Sequence, residues 1–404
     1  MLCRWIVKSL ALVSLFLPFS PVLAKSLTEN ESGTLINTIE LGVLTKDQVS
    51  QIFAPYGRQG LYDVRLVRAS FVTTTPDKKQ DHLLASGLIM IPQNLPGVLP
   101  WLSVQHGTLI GIGEAPTLKP LEGVWDASQG FVTVVPDYIG FGDSSALFHP
   151  YLIEAGYVKS GIDFLKATQA FAGREHLELG PLFLKGYSEG GYATLALQRA
   201  LETDYAGQFP LLASSPSAGP YDTVALGLGG VGSKQQNPLF TSLIFLSLET
   251  WGGLPFDVKD VINYDTDLLR KVLMSPVVDP ELTQTLPTDT RIFFQPTFID
   301  DFLLPVPQTP AALATRQLFA QQDLSSGTWS PKIPTRFYHC VEDEVVPVYY
   351  TQKILAHLAE VDAAAPVSSV LYTSPDPAKP YTHVTCPGLF DAVSWFKELL
   401  QAKP

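Results

Sequence analysis

Cysteine is scarce in this chain: three in 404 residues, beside three methionines and seven histidines. The histidines are scattered, and the two cysteines far from the amino terminus stand 386 − 340 = 46 positions apart. Metal-ligand spacing is therefore missing, and neither a metal nor a cofactor is expected. Basic residues are also short, 27 Lys and Arg against 39 Asp and Glu, a net charge of −12. A field of that sign excludes nucleic acid binding by bulk attraction. Beyond the amino terminus no uninterrupted apolar stretch reaches about 18 residues, which excludes a further transmembrane helix. No internal repeat or low-complexity segment is present. The glycine-rich run Gly227 to Gly232 neither follows a strand nor opens a βαβ unit, so it is not a dinucleotide fingerprint.

The amino terminus reads as a signal peptide over residues 1–24. Arg4 and Lys8 give a positive start, Ser9 to Phe19 is largely apolar, and Val22-Leu23-Ala24 supplies the small-residue cleavage site. The apolar part is short and interrupted by Pro18 and Pro21, which suits a cleaved leader better than an anchor. Cleavage leaves 404 − 24 = 380 residues and a net charge of −12 − 2 = −14, for a secreted or periplasmic protein. That length fits one α/β domain over 25–404 that carries a cap.

Along the chain, short apolar runs alternate with helical patterns. Asp63 to Thr73, Leu83 to Ile91, Trp101 to Gln105, Phe131 to Pro136, Leu182 to Leu184, Leu211 to Ser215, Arg336 to His339 and Val367 to Tyr372 read as strands. Helices are predicted at Tyr151 to Phe171, Tyr192 to Glu202, Tyr350 to Leu358 and Phe390 to Gln401. This alternation implies an α/β fold with a mostly parallel central sheet flanked by helices. It stops between about 218 and 331, a Leu-, Phe- and Pro-rich segment of short helices that reads as a cap insertion. Within it, Leu239 to Leu246 reads as core packing or as the lining of an acyl pocket.

Gly186-Tyr187-Ser188-Glu189-Gly190-Gly191 follows an apolar run and precedes a helix. Strand, G-x-S-x-G, helix is the setting of a nucleophile elbow, a turn too tight for side chains two positions either side of the serine. Ser188 is the candidate nucleophile. A serine nucleophile needs a base oriented by an acid. His357 falls in an amphipathic helical pattern and His383 in a loop after a strand, which makes His383 the candidate base. Asp343 is the candidate acid, with Glu342 and Glu344 as competing carboxylates. Two backbone N–H groups should hold the oxyanion. One is assigned to Glu189, whose side chain the role does not require, and the other to Gly107 or Thr108 after the strand Pro100 to Gln105. His106 reads as a packed loop histidine. Cys340 lies three residues before Asp343, and Cys386 three after His383. If acid and base meet, the two cysteines are neighbours, and a Cys340–Cys386 disulfide is predicted.

Gln105-His106-Gly107-Thr108, Pro136-Asp137-Tyr138-Ile139-Gly140-Phe141-Gly142-Asp143-Ser144, His149-Pro150-Tyr151-Leu152, the Ser188 elbow and the Asp343/His383 end together resemble the secretory lipase family. This cap-bearing group of α/β-hydrolases includes fungal lipase A enzymes and bacterial relatives. The likeness covers most of residues 60–400 and carries no short signature in the cap. It implies a serine hydrolase of carboxylic esters, a lipase or carboxylesterase working through an acyl-enzyme without a cofactor. The implied partners are an ester or lipid substrate and a transient lipid interface. A serine peptidase or acyl-aminopeptidase of the same fold is the alternative, with Asp300-Asp301 to receive an amine. A non-catalytic secreted binding protein is a further one.

Overall fold

A computed structural model describes residues 31–233, 238–362 and 366–402. The predicted signal peptide lies outside the described residues. Among the described residues nine strands form one sheet: β1 Leu35–Leu44, β2 Val64–Thr73, β3 Leu83–Pro92, β4 Leu99–Gln105, β5 Val132–Pro136, β6 Leu179–Tyr187, β7 Leu211–Ser217, β8 Thr335–Cys340 and β9 Val367–Tyr372. Their order is β1-β2-β3-β5-β4-β6-β7-β8-β9. From β5 across to β9 every neighbouring pair is parallel, while the β1–β2, β2–β3 and β3–β5 pairs are antiparallel. The mixed, mostly parallel sheet is the one expected.

Side-chain alternation along the central strands divides the core between two faces. Trp101, Leu182 and Leu184 pack on one face with Phe164, Leu165 and Leu197 of α3 (Glu154–Arg174) and α4 (Glu189–Glu202). Leu102, Val104 and Phe183 pack on the other with Val49, Val124 and Phe396. Those three come from α1 (Lys46–Phe53), α2 (Val124–Ser128) and α13 (Ala392–Gln401). Strands covered on both sides read as continuous apolar runs, which is why β5 is buried at all five positions.

Between β7 and β8 the chain forms seven α-helices among the described residues: α5 Thr223–Gly232, α6 Pro238–Trp251, α7 Thr266–Leu273, α8 Pro280–Thr285, α9 Thr290–Phe293, α10 Pro296–Phe302 and α11 Pro310–Gln321. Their core is aromatic, with Phe245 in edge contact with Phe294, Phe298 and Phe319. Leu239, Leu243 and Leu246 are buried in that core. The remaining helix, α12 (Tyr349–Val361), joins β8 to β9. No described helix is long and apolar enough to cross a membrane.

Several elements differ from expectation; α1 and α2 were not foreseen, β6 runs beyond Leu182 to Leu184, and the helix expected from Phe390 begins at Ala392. β1 was not anticipated, because its outward-facing residues are mostly exposed and two irregularities, at Leu35/Asn37 and Glu40/Gly42, break its alternation. The helix expected from Tyr151 begins at Glu154, since Leu152 sits in a turn at φ 54° with Tyr151 and Leu152 buried. The helix expected from Tyr192 begins at Glu189, directly after Ser188.

Candidate active site

Ser188 joins β6 to α4 with φ 61° and ψ −125°, a conformation rare for a residue with a side chain. The flanking glycines explain how the turn is accommodated. A Cβ on Gly186 would lie 2.2 Å from the Gly190 carbonyl oxygen, and one on Gly190 would lie 2.0 Å from that of Gln105. The turn holds because Ser188 N–H donates to the Ser217 carbonyl at 3.1 Å, across to β7. It leaves the hydroxyl at the amino end of α4, where backbone N–H groups lack intrahelical acceptors and the helix dipole favours negative charge.

The other two candidates converge there from separate parts of the chain. His383 Nε2 is 2.9 Å from Ser188 Oγ, and His383 Nδ1 is 2.7 Å and 2.9 Å from the Asp343 carboxylate oxygens. The competing carboxylates have other partners: Glu342 accepts from Ser374 N–H, and Glu344 accepts from the His383 backbone N–H at 3.0 Å. His357 lies on α12, as its pattern suggested. Asp343 Oδ1 also accepts from the Val345 and Val346 N–H groups. Fully buried His339 lies 3.5 Å from Asp343 Oδ2. Burial alone would raise the Asp343 pKa, but hydrogen bonding from His339, His383 and backbone outweighs it and holds the carboxyl well below its ordinary range. It is therefore a fixed negative charge beside the imidazole.

Cys340 ends β8 and is joined to Cys386, with Cα atoms 5.9 Å apart. The bridge ties the strand that leads to Asp343 to the turn that follows His383. Gly107 backs onto the elbow: a Cβ there would sit 3.9 Å from Ser188 Cβ and 3.4 Å from the Tyr187 carbonyl oxygen. The Thr108 hydroxyl meets Tyr151 Oη at 3.0 Å. His106 is a packed histidine, 3 % exposed, with its ring centroid 4.0 Å from that of Tyr138. Asp137 is fully buried and accepts from Ser86, Thr117 Oγ1 and Thr117 N–H, so it braces its loop. Gly142 has no room for a side chain, because a Cβ would lie 2.2 Å from Asp137 Oδ2.

Three contacts were not anticipated. Tyr187, the residue before the serine, reaches both Asp343 and His383 through its hydroxyl. His339 stands behind the acid. The Glu189 side chain, assigned no role from sequence, is 1 % exposed, and its Oε1 lies 2.8 Å from His149 Nε2 and 2.9 Å from the Tyr157 hydroxyl. His149 Nδ1 faces the Ile139 carbonyl at 2.8 Å and must carry a proton there, which leaves Nε2 directed at Glu189. A glutamate in a turn of small residues was the available signal, since a buried carboxylate needs a partner. Among the described residues no group of three or more His, Cys, Asp or Glu could hold a metal ion.

No protein-family model and no curated protein sequence matches this chain. Solved structures do. The ligand-bound form of the rice cell wall degrading esterase LipA from Xanthomonas oryzae is 26% identical with a TM-score of 0.80, over 93% of this chain and 100% of that one. Candida antarctica lipase A in its closed state is 16% identical with a TM-score of 0.67, over 94% of this chain and 85% of that one, a likeness of fold alone.

Proposed function

We propose for this chain, an α/β-hydrolase of the lipase-like kind and a hydrolase of ester substrates, a serine mechanism that runs through an acyl-enzyme. The observation that carries the reading is the unbroken line of contacts from Ser188 Oγ to His383 to Asp343, at 2.9 Å and 2.7 Å. Ser188 attacks the ester carbonyl while His383 Nε2 takes its proton, then returns it to the departing alcohol. Asp343 holds the imidazole with Nδ1–H toward itself and stabilises the imidazolium. The N–H groups of Glu189 and of Gly107 or Thr108 receive the oxyanion. Water then attacks the acyl-enzyme by the same path in reverse. No step calls on a cofactor.

The helices between β7 and β8 serve as the cap, at about 218–331 within a domain of 25–404. Their apolar composition favours an acyl chain of some length and transient contact with a lipid interface. A cleaved signal peptide over residues 1–24 and the Cys340–Cys386 bridge together favour a secreted or periplasmic protein. The peptidase alternative gains no support from Asp300 and Asp301. Asp300 pairs with Arg291 at 2.9 Å, and Asp301 accepts from Gln308 N–H and from Thr309, within the insertion.

Labelling with a fluorophosphonate probe, followed by peptide mapping, tests the mechanism. The adduct is expected on Ser188 and absent after Ser188→Ala. An adduct on another serine, or none on a folded protein, refutes it.

A further inference from the structure

The elbow makes no demand on the residue before the nucleophile, yet the Tyr187 side chain is committed to the base. Its hydroxyl oxygen is 2.8 Å from the His383 carbonyl oxygen, 3.0 Å from His383 Nδ1 and 3.3 Å from Asp343 Oδ2. Its ring lies on the imidazole, with centroids 4.8 Å apart and planes at 31°, and meets Phe390 edge-on at 5.5 Å. A phenol has one proton to give. The carbonyl is the nearest acceptor, so the proton points there and a lone pair of the same oxygen faces Nδ1–H. The phenol stays protonated, because burial and the Asp343 charge both push its pKa up.

We propose that Tyr187 is a positioning residue for hydrolysis: its hydroxyl fixes the His383 loop to the nucleophile strand and, beside Asp343, favours the imidazolium. The inference rests on the serine mechanism above. Two features give it force. Tyr187 and Ser188 are adjacent in the chain, so a hydrogen bond from one to the backbone of His383 sets the distance from the other to Nε2. The oxygen is also a second acceptor on the side of the ring where positive charge develops.

Other groups around the pair set the background. Glu344 accepts from the His383 N–H, and His339 stands behind Asp343. A cavity of about 270 Å³ lined in part by Tyr187 has Arg58, Glu122, Asp126 and Lys185 in its wall. Lys185 and Asp126 pair at 2.5 Å.

Tyr187→Phe removes one oxygen and keeps the ring. With a soluble nitrophenyl ester, kcat should fall about three- to tenfold, the effect of one hydrogen bond, with KM within about twofold. The acid limb of the kcat/KM profile should move to lower pH, because the imidazolium has lost a favourable neighbour. In an Asp343→Asn background the loss should shrink, since both groups act through the same ring. A purely structural role would lower the melting temperature and leave the limb in place. If the Phe variant melts below the assay temperature, the same comparison is made at a temperature below the lower of the two melting midpoints. Unchanged kcat and limb, or an equal loss in both backgrounds, overturns the inference. Fluorophosphonate labelling separates the two levels. A wild-type chain that is not labelled at Ser188 defeats the serine mechanism, whereas equal labelling rates for wild type and Tyr187→Phe defeat only the role of Tyr187.

Discussion

Replacing Cys340 and Cys386 together by serine should lower stability and activity by separable amounts. The bridge closes a loop across a sequence separation of 46. Chain-entropy reasoning gives about 13.5 cal/mol/K for a loop of that length, or about 4 kcal/mol at 25 °C. The entropy of unfolding for a chain of this size is roughly 0.8 kcal/mol/K at the midpoint, so the melting temperature should drop by about 5 °C. The activity effect has a different origin. Cys386 N–H donates to the Thr382 carbonyl at 2.9 Å, so the turn after His383 keeps a hydrogen bond of its own when the bridge is removed. What is lost is the tether to β8, and with it the fixed distance from Asp343 to the imidazole. Misplacement on the ångström scale typically costs about a hundredfold in rate, and a partial effect of tenfold or more is expected well below the melting temperature. Calorimetry and initial rates on a nitrophenyl ester measure the two effects. A variant that melts within about 1 °C of wild type and keeps full activity would refute the reasoning. Alkylation of both cysteines in the unreduced native protein would also do so.

Gly190→Ala should destabilise the chain by about 3 kcal/mol or more, because its Cβ meets only backbone, at Gln105 and His106. Gly173→Ala, in α3 with nothing within 4 Å, should instead stabilise by about 0.5–1 kcal/mol. Thermal melts of the two decide whether the elbow or glycine content in general is at stake. Glu189→Leu should destabilise by about 1–3 kcal/mol by leaving His149 and Tyr157 without their acceptor, and Glu189→Gln by less. Equal melting temperatures for the two would contradict the pairing. The Asp343 carboxyl is held below the ordinary range near about 3.9. Its stabilisation is therefore complete above that range and is lost as pH falls through it toward the native value. The difference in melting temperature between wild type and Asp343→Asn should narrow as the solution is acidified below about pH 4, and a gap that widens there would contradict this.

What could be read from sequence was local. The glycines around Ser188 declare a turn through their lack of bulk, and β5 declares burial through five apolar or small residues in a row. The disulfide was legible because Cys340 and Cys386 stand at equal offsets from Asp343 and His383, so one contact implies the other. Contacts that depend on how distant segments are stacked were not legible. Tyr187 reaches His383 only because β6 and the carboxyl-terminal loop meet, and the spacing of 196 positions carries no trace of it. His339 reads as one more residue of a buried strand, and its approach to Asp343 depends on the turn after Cys340. β1 escaped notice for a different reason. An edge strand with one solvated face and two irregularities has neither the continuous run nor the clean alternation by which strands are recognised.

The central claim is that Ser188 is the nucleophile of an ester hydrolase. The most direct test compares initial rates of the mature chain and Ser188→Ala on nitrophenyl esters from acetyl to palmitoyl. The account predicts loss of nearly all turnover in the variant, on the order of 10⁶-fold, at every chain length that the wild type accepts. A folded Ser188→Ala protein that turns over esters at the wild-type rate would contradict it.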